Sequence, residues 1–212
     1  VGSEMCIRDR YQAAWLKYYY PVEFMAALMT SVIDNPGKVS EYIYSCRQMG
    51  IKILPPDINK GEGSFSVDGG NIRYGLAAIK SIGKPVIESI IQERKNGGEF
   101  SNLKDFIERL SGKEVNKRTI ESFIKSGAFD SLGGTRKQFM VVYVQILDQV
   151  NRERKYSMTG QLSLFDIVSD DRKSEFDIPL PDVGEYEKET KLAFEKEVLG
   201  VYLSGHPLED YE

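Results

Sequence analysis

Apolar side chains recur every three or four positions along most of the chain, which predicts a mainly helical fold. Over residues 11–30 the periodic pattern is interrupted by Pro21, and proline suits the first turn of a new helix, so a broken helix is expected there. Asn116 and Thr135 are suited to cap two later helices, and Gly50 and Gly127 to end helices. Further helices are predicted over 39–49, 85–95, 103–110, 116–125, 136–155 and 186–199, with a turn or two over 76–80.

A different pattern occupies residues 51–75. Apolar residues 65, 67, 72 and 74 alternate with polar ones around Asp68-Gly69-Gly70, which predicts a small β-hairpin. Just before it, the apolar run 51–54 ends at Pro55-Pro56 and is interpreted as a short strand. A small β element is therefore expected inside a mainly α chain.

Charge divides the chain unevenly. The 212 residues carry a net charge of -4, yet residues 113–137 hold six Lys or Arg against three acids, and residues 161–197 hold eleven acids against five bases. This asymmetry favours a basic middle that faces phosphates and an acidic tail held away from them. No apolar run approaches the roughly 20 residues of a membrane span, so a membrane protein is excluded. Two cysteines and one histidine offer no zinc site, and low cysteine use fits a reducing cytoplasm.

The segment 76–91 has the sequence pattern of a helix-hairpin-helix unit: a short helix, a tight turn and a second helix. Such a turn exposes backbone N–H groups that can hold a DNA phosphate without reading bases. The candidate DNA-binding residues here are Lys80, Ser81, Gly83 and Lys84, although glycine is usual where Ser81 stands. The alternative is an ordinary helical corner with lysines on its solvated side.

A second candidate unit follows about 45 residues later, around the predicted helix 116–125 and the turn after it. Asn116, Lys117, Arg118, Lys125 and Gly127 would again place amides and cations together. Two units in tandem could grip successive phosphates of a duplex, with an affinity that falls as salt rises. Plain helix packing, with the neighbouring phenylalanines as core, remains the alternative.

A short apolar peptide lies inside the polar stretch 156–184, which is predicted to be an extended linker. It comprises Gln161, Leu162, Ser163, Leu164 and Phe165. Leu164 and Phe165 could fill a hydrophobic pocket of a partner while Gln161 bonds at its rim. From the residues alone, local packing against the long helix is the favoured interpretation. The sequence holds no recognisable catalytic constellation and no metal-ligand cluster.

Several blocks resemble the bacterial DNA polymerase III alpha subunit, the C-family replicative DNA polymerase, and they occur in its order. Residues 11–27 and 49–59 resemble the end of its fingers region. Residues 73–80, 115–118 and 126–130 are similar to its tandem helix-hairpin-helix region, and residues 199–207 to the stretch before its OB fold. In this family a peptide like residues 161–165 binds the ring-shaped sliding clamp, and that resemblance favours clamp binding over local packing.

The resemblance implies a division of the chain. Residues 1–10 look like translated adapter sequence. The end of the fingers region is expected over 11–75 and the tandem helix-hairpin-helix domain over 76–155. The linker with the clamp-binding peptide is expected over 156–184, and a helix leading to an OB fold over 185–212.

The resemblance also implies a function: a piece of a cytoplasmic bacterial DNA-directed DNA polymerase, whose Mg²⁺-binding catalytic carboxylates lie upstream. The piece would need no cofactor and would lack activity by itself. Its expected partners are primer-template duplex DNA, the sliding clamp (the beta subunit) and other replisome subunits. The alternative is a helix-hairpin-helix accessory module for DNA repair or recombination, and the fingers-like block 55–59 argues against it.

Overall fold

Eight α-helices and one small sheet make up the described part of the computed structural model, which covers residues 2–112, 115–158 and 178–205. Two single turns of 3₁₀ helix, Leu76–Ala78 and Asp130–Leu132, lie between them. The helices are α1 Gly2–Tyr19, α2 Pro21–Ser31, α3 Pro36–Gln48, α4 Lys84–Gly97, α5 Leu103–Arg109, α6 Lys117–Ser126, α7 Arg136–Met158 and α8 Lys188–Val198. The strands are β1 Ile53–Leu54, β2 Ser66–Asp68 and β3 Asn71–Arg73. The predicted mainly α fold is confirmed.

The helices start and stop where capping chemistry predicts. Asn116 accepts a hydrogen bond from the Thr119 backbone N–H at 3.0 Å, and Gly127 ends α6 in the left-handed conformation. At the start of α7, the Thr135 hydroxyl accepts from the Gln138 N–H at 3.2 Å while the Gln138 side chain accepts from the Thr135 N–H at 2.9 Å. This reciprocal capping box fixes the first residue of the longest helix.

The sheet has the strand order β1-β3-β2. The predicted hairpin is β2 paired antiparallel with β3, and Gly69 and Gly70 at its turn have φ of 58° and 81°, as a tight hairpin turn requires. Periodicity did not reveal that β1 pairs parallel with β3.

Asp57, Ile58 and Asn59 join the sheet region to the helices. The Ile58 N–H donates to the Ala128 carbonyl at 3.1 Å, and the Asp57 carboxylate accepts from the Ser131 hydroxyl at 3.1 Å. The Asn59 side chain exchanges two hydrogen bonds with the Phe100 backbone, at 2.8 and 2.9 Å. These three residues thus fasten the β element to the turn after α6 and to the chain before α5.

One apolar core runs through the described residues from Met25 to Val201. Its centre is a set of aromatic rings at centroid distances of 4.9 to 6.3 Å, supplied by Phe100, Phe106, Phe123, Phe129 and Phe139. The core includes Val198, Leu199 and Val201, at the end of α8 and just after it. α8 is therefore packed into the same unit as α4–α7.

α1 begins at Gly2, so residues 2–10 continue the helix of residues 11–19 without a break. That the first ten residues are foreign to the domain stays a prediction, as do the domain boundaries at residues 75, 155 and 184.

Candidate nucleic-acid interface

The turn before α4 is open to solvent. Lys80, Ser81, Gly83 and Lys84 are all exposed. Ser81 has φ of 70°, and among the described residues no other non-glycine side chain has a positive φ. Left-handed backbone at this position reverses the chain sharply between the 3₁₀ turn and α4. Serine thus takes the role that the motif normally gives to glycine.

Two backbone donors are available at the start of α4. Gly83 is the N-cap residue and Lys84 the first helical residue, while Pro85 has no N–H. The Val86 N–H donates a hydrogen bond to the Gly83 carbonyl at 3.1 Å. The amides of Gly83 and Lys84, beside the Lys84 ammonium, are therefore the candidate anion-binding groups of this turn.

Lys80 has a different environment. Its backbone N–H donates to the Val198 carbonyl at 2.8 Å, and its ammonium donates to the Glu197 carbonyl at 2.9 Å. Both acceptors lie at the carboxyl end of α8, where helix carbonyls are otherwise unsatisfied and attract cations. Lys80 therefore docks α8 onto the turn before α4.

The second candidate set divides between the two ends of α6. Asn116, Lys117 and Arg118 lie exposed at its start. The chain reaches them from α5 through Gly112, which has φ of 85°. Gly112 and residues 116–118, on either side of the connection between α5 and α6, are thus exposed, as are Lys80 and Lys84 on either side of the turn before α4.

Lys125 and Gly127, at the other end of α6, are engaged within the protein. The Lys125 ammonium lies 2.9 Å from carboxylate oxygens of both Glu121 and Glu197. Burial lowers the pKa of Lys125, but hydrogen bonds to Glu197 and Glu121 outweigh burial and raise that pKa above its ordinary value. Gly127 is buried under the guanidinium of Arg136, which a Cβ at this position would strike. The Gly127 turn is occupied by protein and not open to a ligand, contrary to its expected place on a DNA-facing turn.

Sequence patterns did not reveal the buried ion-pair network around Arg136. This guanidinium is 2.9 Å from the Asp130 carboxylate and 3.4 Å from that of Glu195, whose side chain is 1% exposed. Burial lowers the pKa of Arg136, and hydrogen bonding to Asp130 with the attraction of both carboxylates raises it overall. Asp130 is near enough in the chain to suggest a partner, whereas Glu195 is 59 residues away.

Glu195 also holds the chain after α8. Its carboxylate accepts from the backbone N–H groups of Leu203 and Ser204, at 2.9 and 3.0 Å, and from the Ser204 hydroxyl. The Arg47 guanidinium donates to the Tyr202 carbonyl at 2.8 Å, and the Tyr74 hydroxyl to the Leu199 carbonyl at 3.1 Å. Residues 199–204 are thus tied to α3, to Tyr74 just after β3, and to α8.

The structure brings some candidate residues together and separates others. Glu197 joins Lys80 to Lys125, so the turn before α4 lies at the carboxyl end of α6. Lys117 and Arg118 lie at its amino end, about 12 Å away at the rise of an α-helix. The predicted clamp-binding residues 161–165 lie outside the described part of the chain.

The described residues contain neither a metal cluster nor a membrane-spanning helix. Nowhere in residues 2–112, 115–158 and 178–205 do three His, Cys, Asp or Glu side chains gather as a metal ion would require. No helix within these ranges combines the length and apolarity needed to span a bilayer.

Comparison with known proteins identifies what the chain is similar to. Residues 50–139 match the helix-hairpin-helix motif family. The chain is 42% identical over 201 residues to the DNA polymerase III subunit alpha of Mycobacterium tuberculosis, covering 93% of the chain. It is 41% identical over 202 residues to the proteins of the same name from Vibrio cholerae and Escherichia coli, covering 95% of it. In each comparison the chain spans 17% of the relative's length.

Proposed function

We propose, from the premise that this chain is a segment of a DNA polymerase III alpha subunit, that it binds the sugar-phosphate backbone of primer-template duplex without reading base sequence. The observation that carries the proposal is the exposed turn before α4, where the amides of Gly83 and Lys84 and the Lys84 ammonium face solvent together. The exposed start of α6, with Lys117 and Arg118, supports it as a second phosphate contact.

The chemistry of the two turns suits phosphate. Backbone N–H groups at a helix start give directed donors, the helix dipole favours negative charge, and a flanking ammonium adds attraction. None of these groups distinguishes one base from another, so binding should depend on salt and not on sequence. Lys80, Lys125 and Gly127 are engaged by other groups of the protein and are not proposed as direct contacts.

Duplex binding is tested by Lys84→Ala and, separately, Lys117→Ala with Arg118→Ala. Titration of the full chain against a labelled duplex from about 50 to about 200 mM salt should show weaker binding for both. The salt dependence on a log–log scale should become shallower by about 1 for each phosphate that a variant no longer neutralises.

Lys95→Ala is the matched control, because Lys95 is exposed on α4 about 16 Å from Lys84. A loss confined to one DNA sequence, or an equal loss in the Lys95 variant, would count against backbone recognition by these turns.

We further propose that residues 161–165 dock on the sliding clamp. The support is the match of Gln161, Leu162, Ser163, Leu164 and Phe165 to the clamp-binding pattern of the resembled family. Docking would keep the DNA-binding turns close to duplex at high effective concentration without adding any chemistry.

Clamp docking is tested by Gln161→Ala with Leu164→Ala and Phe165→Ala in the full chain. We expect this variant to lose clamp binding in a titration while its urea denaturation and its duplex affinity stay as in the parent chain. Unchanged clamp affinity would remove the docking proposal and leave duplex binding standing.

For the whole polymerase we propose nucleotidyl transfer in the bacterial cytoplasm, with Mg²⁺ held by carboxylates of another part of the protein and with other replisome subunits as partners. Two metal ions there would orient the primer hydroxyl and stabilise the leaving phosphate. The present chain would contribute binding of the duplex, so no nucleotide incorporation is expected from it alone.

A further inference from the structure

α1 carries an aromatic stripe that is left uncovered by the rest of the described structure. Its members follow one another at spacings of four, three and one residues, which places them on one side of the helix: Tyr11, Trp15, Tyr18 and Tyr19. Each of these side chains is between 43% and 79% exposed. Tyr20, just after α1, extends the stripe, because its ring centroid lies 5.8 Å from that of Trp15.

The rings of the stripe contact one another. The Trp15 ring centroid is 4.8 Å from that of Tyr19, and the Tyr19 centroid is 4.9 Å from that of Tyr18. Side chains that already pack together lose less rotamer freedom when a partner covers them. The stripe is therefore preorganised for binding.

The area of the stripe is large for a surface that stays in contact with water. All described side chains of α1, residues 6–19, are exposed. At about 150–250 Å² for each aromatic side chain, the exposed part of the five rings amounts to roughly 450–750 Å². Contiguous apolar patches of this size mark interaction sites, and a helix gains most of its stability from packing an apolar face. A partner that covers this side of α1 is therefore expected.

The charge around the stripe favours a protein surface over nucleic acid. Residues 11–20 contain one charged side chain, that of Lys17. Lys17 is two positions after Trp15, and this spacing places it on the opposite side of the helix. Sites for single-stranded nucleic acid combine stacking aromatic rings with a positively charged groove. Aromatic side chains with few charges among them are typical of the centre of a protein interface.

The relatives indicate which protein surface this is. The chain spans 17% of the length of the DNA polymerase III alpha subunits that it matches, so most of each relative has no counterpart in this chain. Counting both partners, burial of the stripe would remove roughly 900–1,500 Å² from water. Interfaces between domains of one polypeptide bury about 600–1,500 Å², whereas obligate dimers commonly bury more than about 2,000 Å². The stripe thus fits a contact between domains better than a dimer of this chain.

We infer that the aromatic stripe of α1 is the surface on which another domain of the alpha subunit packs, with Trp15 and Tyr19 at the centre of the contact. The partner surface would be apolar, with polar groups at its edge for the tyrosine hydroxyls. This inference uses the family to which the chain belongs and does not depend on the proposed duplex binding.

The test measures how readily hydroxyl radicals modify Trp15 in two settings. One is the full chain by itself, and the other is the Escherichia coli alpha subunit in which this chain replaces the matching stretch. Mass spectrometry reads the modification, and the tryptic peptide of residues 11–17 contains the one tryptophan of the chain. Modification of Trp15 should fall several-fold in the hybrid polymerase. That of Tyr44, which is exposed on α3, should change little.

Trp15→Gln with Tyr19→Gln gives an independent measurement. In the full chain alone, this variant should denature at the same urea concentration as the parent, because both side chains are exposed. In the hybrid polymerase, it should lower the temperature at which primer extension is lost, whereas the matched control Tyr44→Gln should not. If replacement of the whole stretch yields no folded polymerase, a graft of residues 11–31, which contains α1 beyond its first turns and α2, allows the same comparison.

Each remaining outcome would overturn the inference. Equal modification of Trp15 in both settings, or equal protection of Tyr44, would mean that no domain packs specifically on the stripe. Protection of Trp15 in the isolated chain as it sediments as a dimer would identify a second copy as the occupant. Protection of Trp15 by a single-stranded oligonucleotide would identify bases as the occupant. All of these results leave duplex binding by the turns before α4 and α6 standing, since that binding is measured separately.

Discussion

At Ser81 the backbone adopts a conformation that side chains other than glycine disfavour, and it does so at the residue on which the turn before α4 depends. A Cβ in left-handed backbone costs roughly 1–2 kcal/mol. The turn persists because its neighbours hold it: the Lys80 N–H is bonded to α8 on one side, and α4 begins at Lys84 on the other. The strain is stored where the two candidate phosphate donors are displayed.

Ser81→Gly is expected to raise the free energy of unfolding by about 0.5–1 kcal/mol, since relief of strain exceeds the extra chain entropy of glycine. Duplex affinity should stay the same, because the backbone donors keep their place. Urea denaturation gives the stability. Ser40→Gly, at an exposed position of α3, is the control and should lower the free energy of unfolding by about 0.5 kcal/mol. A loss of stability in both variants would show that the turn carries no strain.

Short-range sequence patterns predicted the helix ends, because helix ends are set by contacts between residues close together in the chain. Asn116, Thr135 and Gly127 were assigned as helix ends because caps act over three or four residues, and the structure confirms all three. Whether Lys125 or Gly127 faced solvent could not be predicted in the same way. The answer depends on Glu197 and Arg136, and Glu197 reaches α6 only once the chain has folded.

At the scale of elements, α8 governs the electrostatics of the candidate interface. Its last turn holds Lys80 through main-chain carbonyls and Lys125 through the Glu197 carboxylate. Lys125 already has Glu121, so the exposed Glu197 side chain adds a negative charge beside the turn before α4. An approaching phosphate would be repelled by that charge.

Glu197→Gln should therefore tighten duplex binding, by about two- to fivefold at low salt and by less as salt screens the charge. Glu189→Gln removes the same charge from the exposed side of α8, about 12 Å away, and should have little effect. Both are measured by titration of the full chain. Equal affinities for the two variants would mean that Glu197 does not act on the DNA surface.

At the scale of the molecule, α8 and the residues just after it complete the common core of the described structure. The sequence suggested that residues 76–155 are a unit and that residues 185–212 only lead onward. In the described structure Val198, Leu199 and Val201 are buried in the common core, and Glu195 closes the Arg136 network. Long-range packing of this kind leaves no periodic signature that separates it from a surface helix.

A chain ending at residue 155 should consequently lose most of its stability. Three core side chains at about 1.5–3 kcal/mol each amount to a large part of a typical domain's free energy of unfolding. Loss of Glu195 also leaves Arg136 with only one of its two carboxylates, that of Asp130.

Circular dichroism during urea denaturation should show one cooperative transition for the full chain and for a chain ending at residue 205, and none for the chain ending at residue 155. Leu199→Ala in the full chain tests the contribution of core packing without shortening the chain. It should lower the free energy of unfolding by about 2–5 kcal/mol. A chain of residues 1–155 that denatured at the same urea concentration as the full chain would mean that α8 is an appendage, and the electrostatic role of Glu197 would then lose its structural basis.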